Sequence, residues 1–432
     1  MTIGIFFLIF FTLIVVGTPI AVVFGAMAAL PKILNNSFPY TIEAAIRSMV
    51  SGLDSFTLLA VPLFMLSGII MARGGISKKL FNFFAYFIGN KTAGMPCAVI
   101  ITCMFYGAIS GSSPATVSAV GSMTIPFLIT LGYDKVFSTA LVTVAGGLGV
   151  IIPPSISYIV YSSASNASPS ALFIGGIFPG MLIGLALMIC AYIHCKKNGE
   201  DKNILKENYE KIKKIGFYPL FKESFFALLT PIIILGSIYG GVASPTEAAA
   251  ISVLYSLIIC IFVYKTLRIK DLWAIIVEGS KTYITILFII AAATAFGRAI
   301  TLLRYPQVIN GSILGNISNK ILILFIINAI LLVFGMFLDN IPNIMILTPI
   351  FLPIIKDIGM DPVHFGIMMT ANLAIGMVTP PMGINLFVAS SMTQVPVLKI
   401  AKASIPFLIA FFIALLLIVF IPQISLFLPS LL

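Results

Sequence analysis

Long apolar runs, broken at a few places by glycine, proline and polar clusters, set the pattern of this chain. Residues 3–30, 171–191, 225–239, 251–264, 283–297, 321–338 and 405–422 carry no charged side chain. A helix needs about 20 largely apolar residues to cross a bilayer, so the runs predict roughly ten to twelve spans. Transmembrane strands would show segments of about ten alternating residues instead. The pattern therefore predicts an all-α polytopic membrane protein, with the lipid bilayer as its main solvent. Residues 3–30 lack a basic leader and a small-residue cleavage site, so they read as a retained first span.

Composition agrees. The 432 residues are 60% hydrophobic and 9% charged, against about 25% charged in soluble domains. The net charge of +11 sits mostly in short loops between apolar runs. That is the distribution expected of cytoplasmic loops, and no nucleic-acid partner is expected. The five cysteines form no C-x-x-C pair and read as small packing residues. Two histidines, His194 and His364, leave no room for a histidine metal cluster. No H-E-x-x-H or G-x-S-x-G motif occurs, and the chain is not expected to be an enzyme.

One polar stretch, residues 196–216, divides the chain. Lys196, Lys197, Lys202, Lys206, Lys211, Lys213 and Lys214 outnumber Glu200, Asp201, Glu207 and Glu210 there, which places this connector in the cytoplasm. The flanking halves, 1–195 and 217–432, repeat each other at an offset of 227 residues. Pro126 pairs with Pro353, Gly132 with Gly359, Asp134 with Asp361, and Gly149, Pro153 and Pro154 with Gly376, Pro380 and Pro381. Pro169 and Pro179 pair with Pro396 and Pro406. Upstream, Gly107 and Pro114 match Gly335 and Pro342 at 228, which predicts one inserted residue between Pro114 and Pro126. Similar apolar sequences would match leucines, not Pro-Pro pairs. Such internal symmetry is typical of secondary transporters; the sequence leaves open whether the repeats are parallel or inverted.

Each half holds two interruptions. Residues 110–114 (SGSSP) and 339–343 (DNIPN) cut apolar runs into pieces too short to span, predicting re-entrant hairpins around 97–130 and 321–356. Pro153-Pro154 and Pro380-Pro381 each break a further helix, because two successive prolines withdraw two amide donors. An unpaired carbonyl in hydrocarbon costs several kcal/mol, so such backbone must be buried in protein or line a polar cavity. A hard cation fits carbonyls at a helix C-terminus with added hydroxyls. No carboxylate cluster suits Ca²⁺, which leaves Na⁺. Ser110, Ser113, Gly149, Ile152 and Pro154 form one expected Na⁺ site; Gly335, Asn340, Gly376, Thr379 and Met382 form the other. Asp339 is expected in a mixed role, joining the second ion and capping the helix after it. The helix N-termini beyond the tips favour an anion, making Ser112, Ser113 and Asn340 candidate substrate contacts. Arg298, a charge inside an apolar run, is a further candidate carboxylate ligand; snorkelling to an interface is its other reading. Glu247 reads as part of a helix-start motif.

With these residues in place, the chain resembles the large membrane subunit of tripartite ATP-independent periplasmic (TRAP) transporters over its whole length. The resemblance is carried by Gly17-Thr-Pro19-Ile-Ala21, Ser110-Gly-Ser-Ser-Pro114-Ala-Thr116, Gly149-Val-Ile-Ile-Pro-Pro154-Ser, Ser244-Pro-Thr-Glu247-Ala, Asp339-Asn340-Ile-Pro342 and Thr379-Pro-Pro381-Met-Gly383. It implies a bacterial inner-membrane symporter subunit with inverted repeats and an elevator mechanism, driven by Na⁺ without ATP. It also implies a small four-helix membrane subunit, expected here as a separate polypeptide, and a periplasmic substrate-binding protein. Family cargoes include C4-dicarboxylates, sialic acid and other organic acids. Arg298, where many members have an aromatic residue, tilts the expectation toward sialic acid. A stand-alone organic-anion carrier without a binding protein is the alternative.

Overall fold

Residues 3–314 and 319–431 are described by the computed structural model. Among them the secondary structure is helical, without strands. Residues 3–30 do not form one span. They fold as α1 (Ile3–Val15) and α2 (Ile20–Leu34), because Gly17 adopts φ +87° and Pro19 follows it. α3 (Ile42–Leu53) and α4 (Ala60–Arg73) bend by 66° at their junction. α5 (Ile76–Ile88) leads to α6 (Gly94–Ser110) and α7 (Ser113–Thr130). α8 (Lys135–Ala145), α9 (Ile156–Ser165) and α10 (Pro169–Asn198) complete the first half.

The connector is more ordered than a plain linker. α10 runs into it, and Asp201 caps α11 (Lys202–Ile215) by accepting from Asn203 N and Ile204 N. α11 buries Leu205 and Ile212 and turns its lysines outward. Glu200 reaches across to accept from Ala93 N at 3.0 Å and from the Tyr133 hydroxyl. Burial, then Glu200, holds the Tyr133 phenol above its usual range.

The second half comprises α12 (Phe217–Tyr239), α13 (Pro245–Ile258), α14 (Leu272–Leu302), α15 (Tyr305–Leu314), α16 (Lys320–Phe337), α17 (Asn340–Asp357), α18 (Pro362–Gly376), α19 (Ile384–Thr393) and α20 (Val397–Phe420). Six helices among the described residues are long and apolar enough to cross a membrane alone, seven with the bent pair α3–α4. This falls below ten to twelve because much of the apolar sequence is spent on shorter helices that meet end to end. Glu247 and Ser244 cap α13 reciprocally, as its motif predicts.

Helix ends recur along the chain. α7 and α17 are 18 residues each, and their starts and their ends both lie 227 apart. No residue is inserted between Pro114 and Pro126. The 228 offset of the prolines arises because Pro114 is second in its helix and Pro342 third; a first turn has no intrahelical N–H bonds to lose, so it accepts proline at either place. That of the glycines arises because α6 ends three residues beyond Gly107 and α16 two beyond Gly335.

Charge distinguishes the two ends of the bundle. Lys91, Lys202, Lys206 and Lys213 line one cavity, and Lys402 meets Tyr133, Asp134 and Glu200 in another beside it. α8 and α20 therefore start, and α10 ends, at this lysine-rich face. At the opposite face the Tyr161 hydroxyl donates to Pro362 O at 2.7 Å, setting the end of α9 beside the start of α18. So α8 enters from the lysine-rich face and α18 from the other, and both stop midway.

Where they stop, bare backbones touch. A methyl added to Gly107 would lie 2.7 Å from Gly149 Cα, and one on Gly376 would lie 2.5 Å from Gly335 Cα. Helices pack this closely in membranes only through small residues. Overpacking a core costs about 1–3 kcal/mol. Gly376→Val should lower the melting temperature in detergent by several degrees. Gly236→Ala, where nothing lies within 4 Å, should leave it unchanged or raised; equal melting of both variants would refute the close crossing.

Candidate functional site

Both halves bring a hairpin tip against a broken helix. In the first, Gly111 sits at φ +60° between α6 and α7, and its carbonyl accepts from Ile156 N at 3.2 Å. α8 tightens into a 3₁₀ turn over Gly146–Val150, where the N–H groups of Ile151 and Ile152 share Leu148 O. The Ser155 hydroxyl donates to Val150 O. Thr116 Oγ1 donates to Ser112 O at 2.8 Å and lies 3.1 Å from Ser110 Oγ. In the second half Met382 N and Gly383 N both donate to Met336 O, at 3.1 and 3.2 Å. Pro153-Pro154 and Pro380-Pro381 are cis.

Most of the predicted ligand carbonyls can now be accounted for. Among the described residues, those of Ser110, Ile152 and Pro154 take no hydrogen bond, nor do those of Gly335, Thr379 and Met382. Gly376 O accepts from Thr379 N at 2.9 Å. The Thr379 hydroxyl donates to Ile375 O at 2.8 Å, leaving its lone pairs open. Asp339 does cap α17, accepting from Asn340 N at 2.7 Å. Its side chain also reaches the cavity below.

Two cavities flank the tips. One of about 940 Å³ runs from Ser110, Ser112 and Asp339 along α7 toward the lysine-rich face, as far as Ser122, and is lined there by Arg73, Lys78 and Glu278. Arg73 and Glu278 form an ion pair at its mouth. The other, about 630 Å³, lies toward the opposite face and holds Arg298 among Ser48, Ser51, Ser55, Ser163, Thr294 and Thr301. A gap of about 40 Å³ between the tips is lined by Ser112, Ser157, Asp339 and Asn340, closed by Met65 and Ile286.

The predicted substrate contacts thus divide. Ser112 and Asn340 share the central gap. Ser113 is buried behind it, its hydroxyl accepting from Asn385 Nδ2 at 2.7 Å. Arg298 is exposed in the separate cavity and forms no ion pair or hydrogen bond among the described residues. Sequence spacing carries no information about which wall of a bundle a lone arginine faces. Thr116, Ser157 and Asn385 were missed altogether. Thr116 and Ser157 lay in plain view within or beside the quoted motifs; Asn385, alone in an apolar helix start, carried no distinguishing signal.

These features define a multi-pass α-helical membrane protein with paired broken helices between two cavities. The chain belongs to the DctM component family of tripartite ATP-independent periplasmic transporters, whose family model matches residues 7–424. It is 43% identical over 415 residues to the isethionate TRAP transporter permease protein DctMQ of Oleidesulfovibrio alaskensis, covering 96% of this chain and 64% of that relative's length. It is 38% identical over 386 residues to the C4-dicarboxylate large permease DctM of Pseudomonas aeruginosa, covering 87% of each. It is 35% identical over 421 residues to the sialic acid large permease SiaM of Vibrio cholerae, covering 97% of this chain and 96% of the relative.

The two cavities should differ in access. In a cysteine-free background, Ser122→Cys should react with a membrane-impermeant thiol reagent only from the lysine-rich side, and Ser51→Cys only from the other. Labelling of both from one side would refute the opposed arrangement.

Proposed function

We propose that the chain is the transport subunit of a Na⁺-coupled symporter importing a small organic anion. The observation that carries this is the set of carbonyls left without hydrogen bonds in both breaks. In a bilayer core such groups cost several kcal/mol each unless a polar partner meets them. Two matching clusters of bare carbonyls, each beside a hydroxyl from Ser110 or Thr379, offer the all-oxygen shell a hard cation takes. The first site comprises Ser110, Gly149, Ile152 and Pro154 with the tip at Ser113; the second comprises Gly335, Gly376, Thr379 and Met382, with Asp339 and Asn340 at its tip.

The opposite entry of α8 and α18 supports reading the halves as inverted repeats related through the membrane plane. The hairpins and broken helices then move as one body against the helices around them in an elevator step, and the lysine-rich face is cytoplasmic. Ser112 and Asn340 in the gap between the tips contact the cargo; Arg298 meets its carboxylate on the periplasmic side. The relatives' cargoes (isethionate, C4-dicarboxylates and sialic acid) share an acid group, and an organic acid of this kind is the substrate class. A small membrane subunit and a periplasmic binding protein complete the system, the latter delivering the cargo.

Uptake into proteoliposomes with the cognate binding protein should require an inward Na⁺ gradient. Thr379→Ala and Ser110→Ala should each raise the Na⁺ concentration for half-maximal uptake by about fivefold, the factor given by about 1 kcal/mol per lost ligand. An unchanged Na⁺ response in both would remove these hydroxyls from the sites.

Arg298→Ala should cut uptake by about tenfold or more, as loss of a charge-assisted contact does, with membrane insertion intact. Normal uptake would reduce Arg298 to an interface anchor.

A further inference from the structure

We infer that Asn385 and Ser157 are positioning residues that make the two cation sites fill together, each strapping the break of one half to the hairpin tip of the other. The inference rests on the Na⁺ reading above and adds how its two sites communicate.

Asn385 is the second residue of α19, just beyond the second Pro-Pro break. Its Nδ2 donates to Ser113 Oγ at 2.7 Å and to Thr143 O at 3.3 Å. Ser113 opens α7 at the first tip, and Thr143 lies on α8 ahead of the first break. One side chain of the second half therefore touches both parts of the first site. The reverse contact is also present. Asn340 opens α17 at the second tip, and its Nδ2 donates at 3.4 Å to Ser157 Oγ, on the second residue of α9 beyond the first break. In each contact the first residue of the helix after a tip meets the second residue of the helix that follows the other half's break. The amide is on the broken helix in one contact and on the hairpin in the other.

All five residues are at most 1% exposed. Asn385 Oδ1 and Asn340 Oδ1 have no partner among the described residues. Polar groups buried this deeply hold their partners strongly, because no water competes for them. A cation in the first site fixes the tip and with it Ser113 Oγ. That fixes Asn385 and the start of α19, three residues from the Met382 carbonyl of the second site. The ordering cost of both breaks then falls largely on the first ion, and the second binds more tightly. Linkage makes the effect equal in both directions. If the straps were only structural, their loss would weaken both sites alike without separating them.

The test is hydrogen exchange of the purified chain during a Na⁺ titration, with K⁺ holding ionic strength constant. In the wild type, peptides covering residues 146–158 and 374–386 should become protected at a common midpoint, more steeply than single-site binding allows. In Asn385→Ala the two midpoints should separate by about fivefold or more, the low end of typical coupling factors, and each curve should flatten. Ser157→Ala, which removes the longer strap and a single hydroxyl, should give a smaller split and serves if Asn385→Ala does not fold. Common midpoints and unchanged steepness in the variants would overturn the straps while leaving the Na⁺ sites standing. Wild-type protection that ignores Na⁺ would overturn the Na⁺ reading and this inference with it.

Discussion

Everything in this fold answers to one constraint: a carbonyl stripped of its helical donor in the middle of a bilayer must find another partner. Proline pairs at residues 153–154 and 380–381 remove donors, and the chain ends broken helices there instead of continuing them. The hairpins exist to meet those ends. Gly107 against Gly149 and Gly335 against Gly376 let tip-bearing helices approach until backbones touch, which no larger side chain permits. The polar tips are thereby held against the breaks, shielded from lipid by the helices packed outside them.

The constraint also explains why the halves are interleaved. A broken helix start carries unpaired N–H groups and a broken helix end carries unpaired carbonyls. Backbone contacts within a half satisfy part of this, as between Ile156 and Gly111 or Met382 and Met336. Part of the remaining polar demand is met across the halves, by Asn385 on Ser113 and Asn340 on Ser157. Neither half could bury its tip alone without leaving a hydroxyl or amide stranded. The cross-contacts thus follow from the same desolvation penalty that shapes the breaks.

Much of this was legible from the chain because its key positions are backbone-determining. Proline and glycine write their structural meaning into sequence, so the helix interruptions at residues 110–114 and 339–343, those at both Pro-Pro pairs and the cap at Asp339 appear within a few residues of where they are expected. The single first span failed on the same logic, since Gly17 and Pro19 divide it as surely as the later motifs divide theirs. What sequence could not supply is which wall a side chain faces. Arg298 and Ser112 lie in different cavities although both interrupt apolar runs, and Asn385 looks like any polar residue near a helix start. The ordered connector was hidden for another reason: its lysine excess announced exposure, while Asp201 and Glu200 quietly anchor it through backbone amides and the Tyr133 hydroxyl.

The cavities carry the remaining asymmetry, and electrostatics gives it a direction. Arg298 stands among hydroxyls, and among the described residues no carboxylate lines its cavity, so an anion reaching it competes with no fixed negative charge there. At the lysine-rich face Arg73 is already paired with Glu278, and an anion passing there must compete with a fixed carboxylate. Pairs this exposed are weak, about 0–1 kcal/mol, so the competition does not block passage. Lys78 lines the same cavity, so this side offers an anion charges of both signs, unlike the cavity of Arg298. On the proposed reading, directionality need not come from the tips and breaks alone, because two arginines in unlike surroundings already distinguish the two cavities.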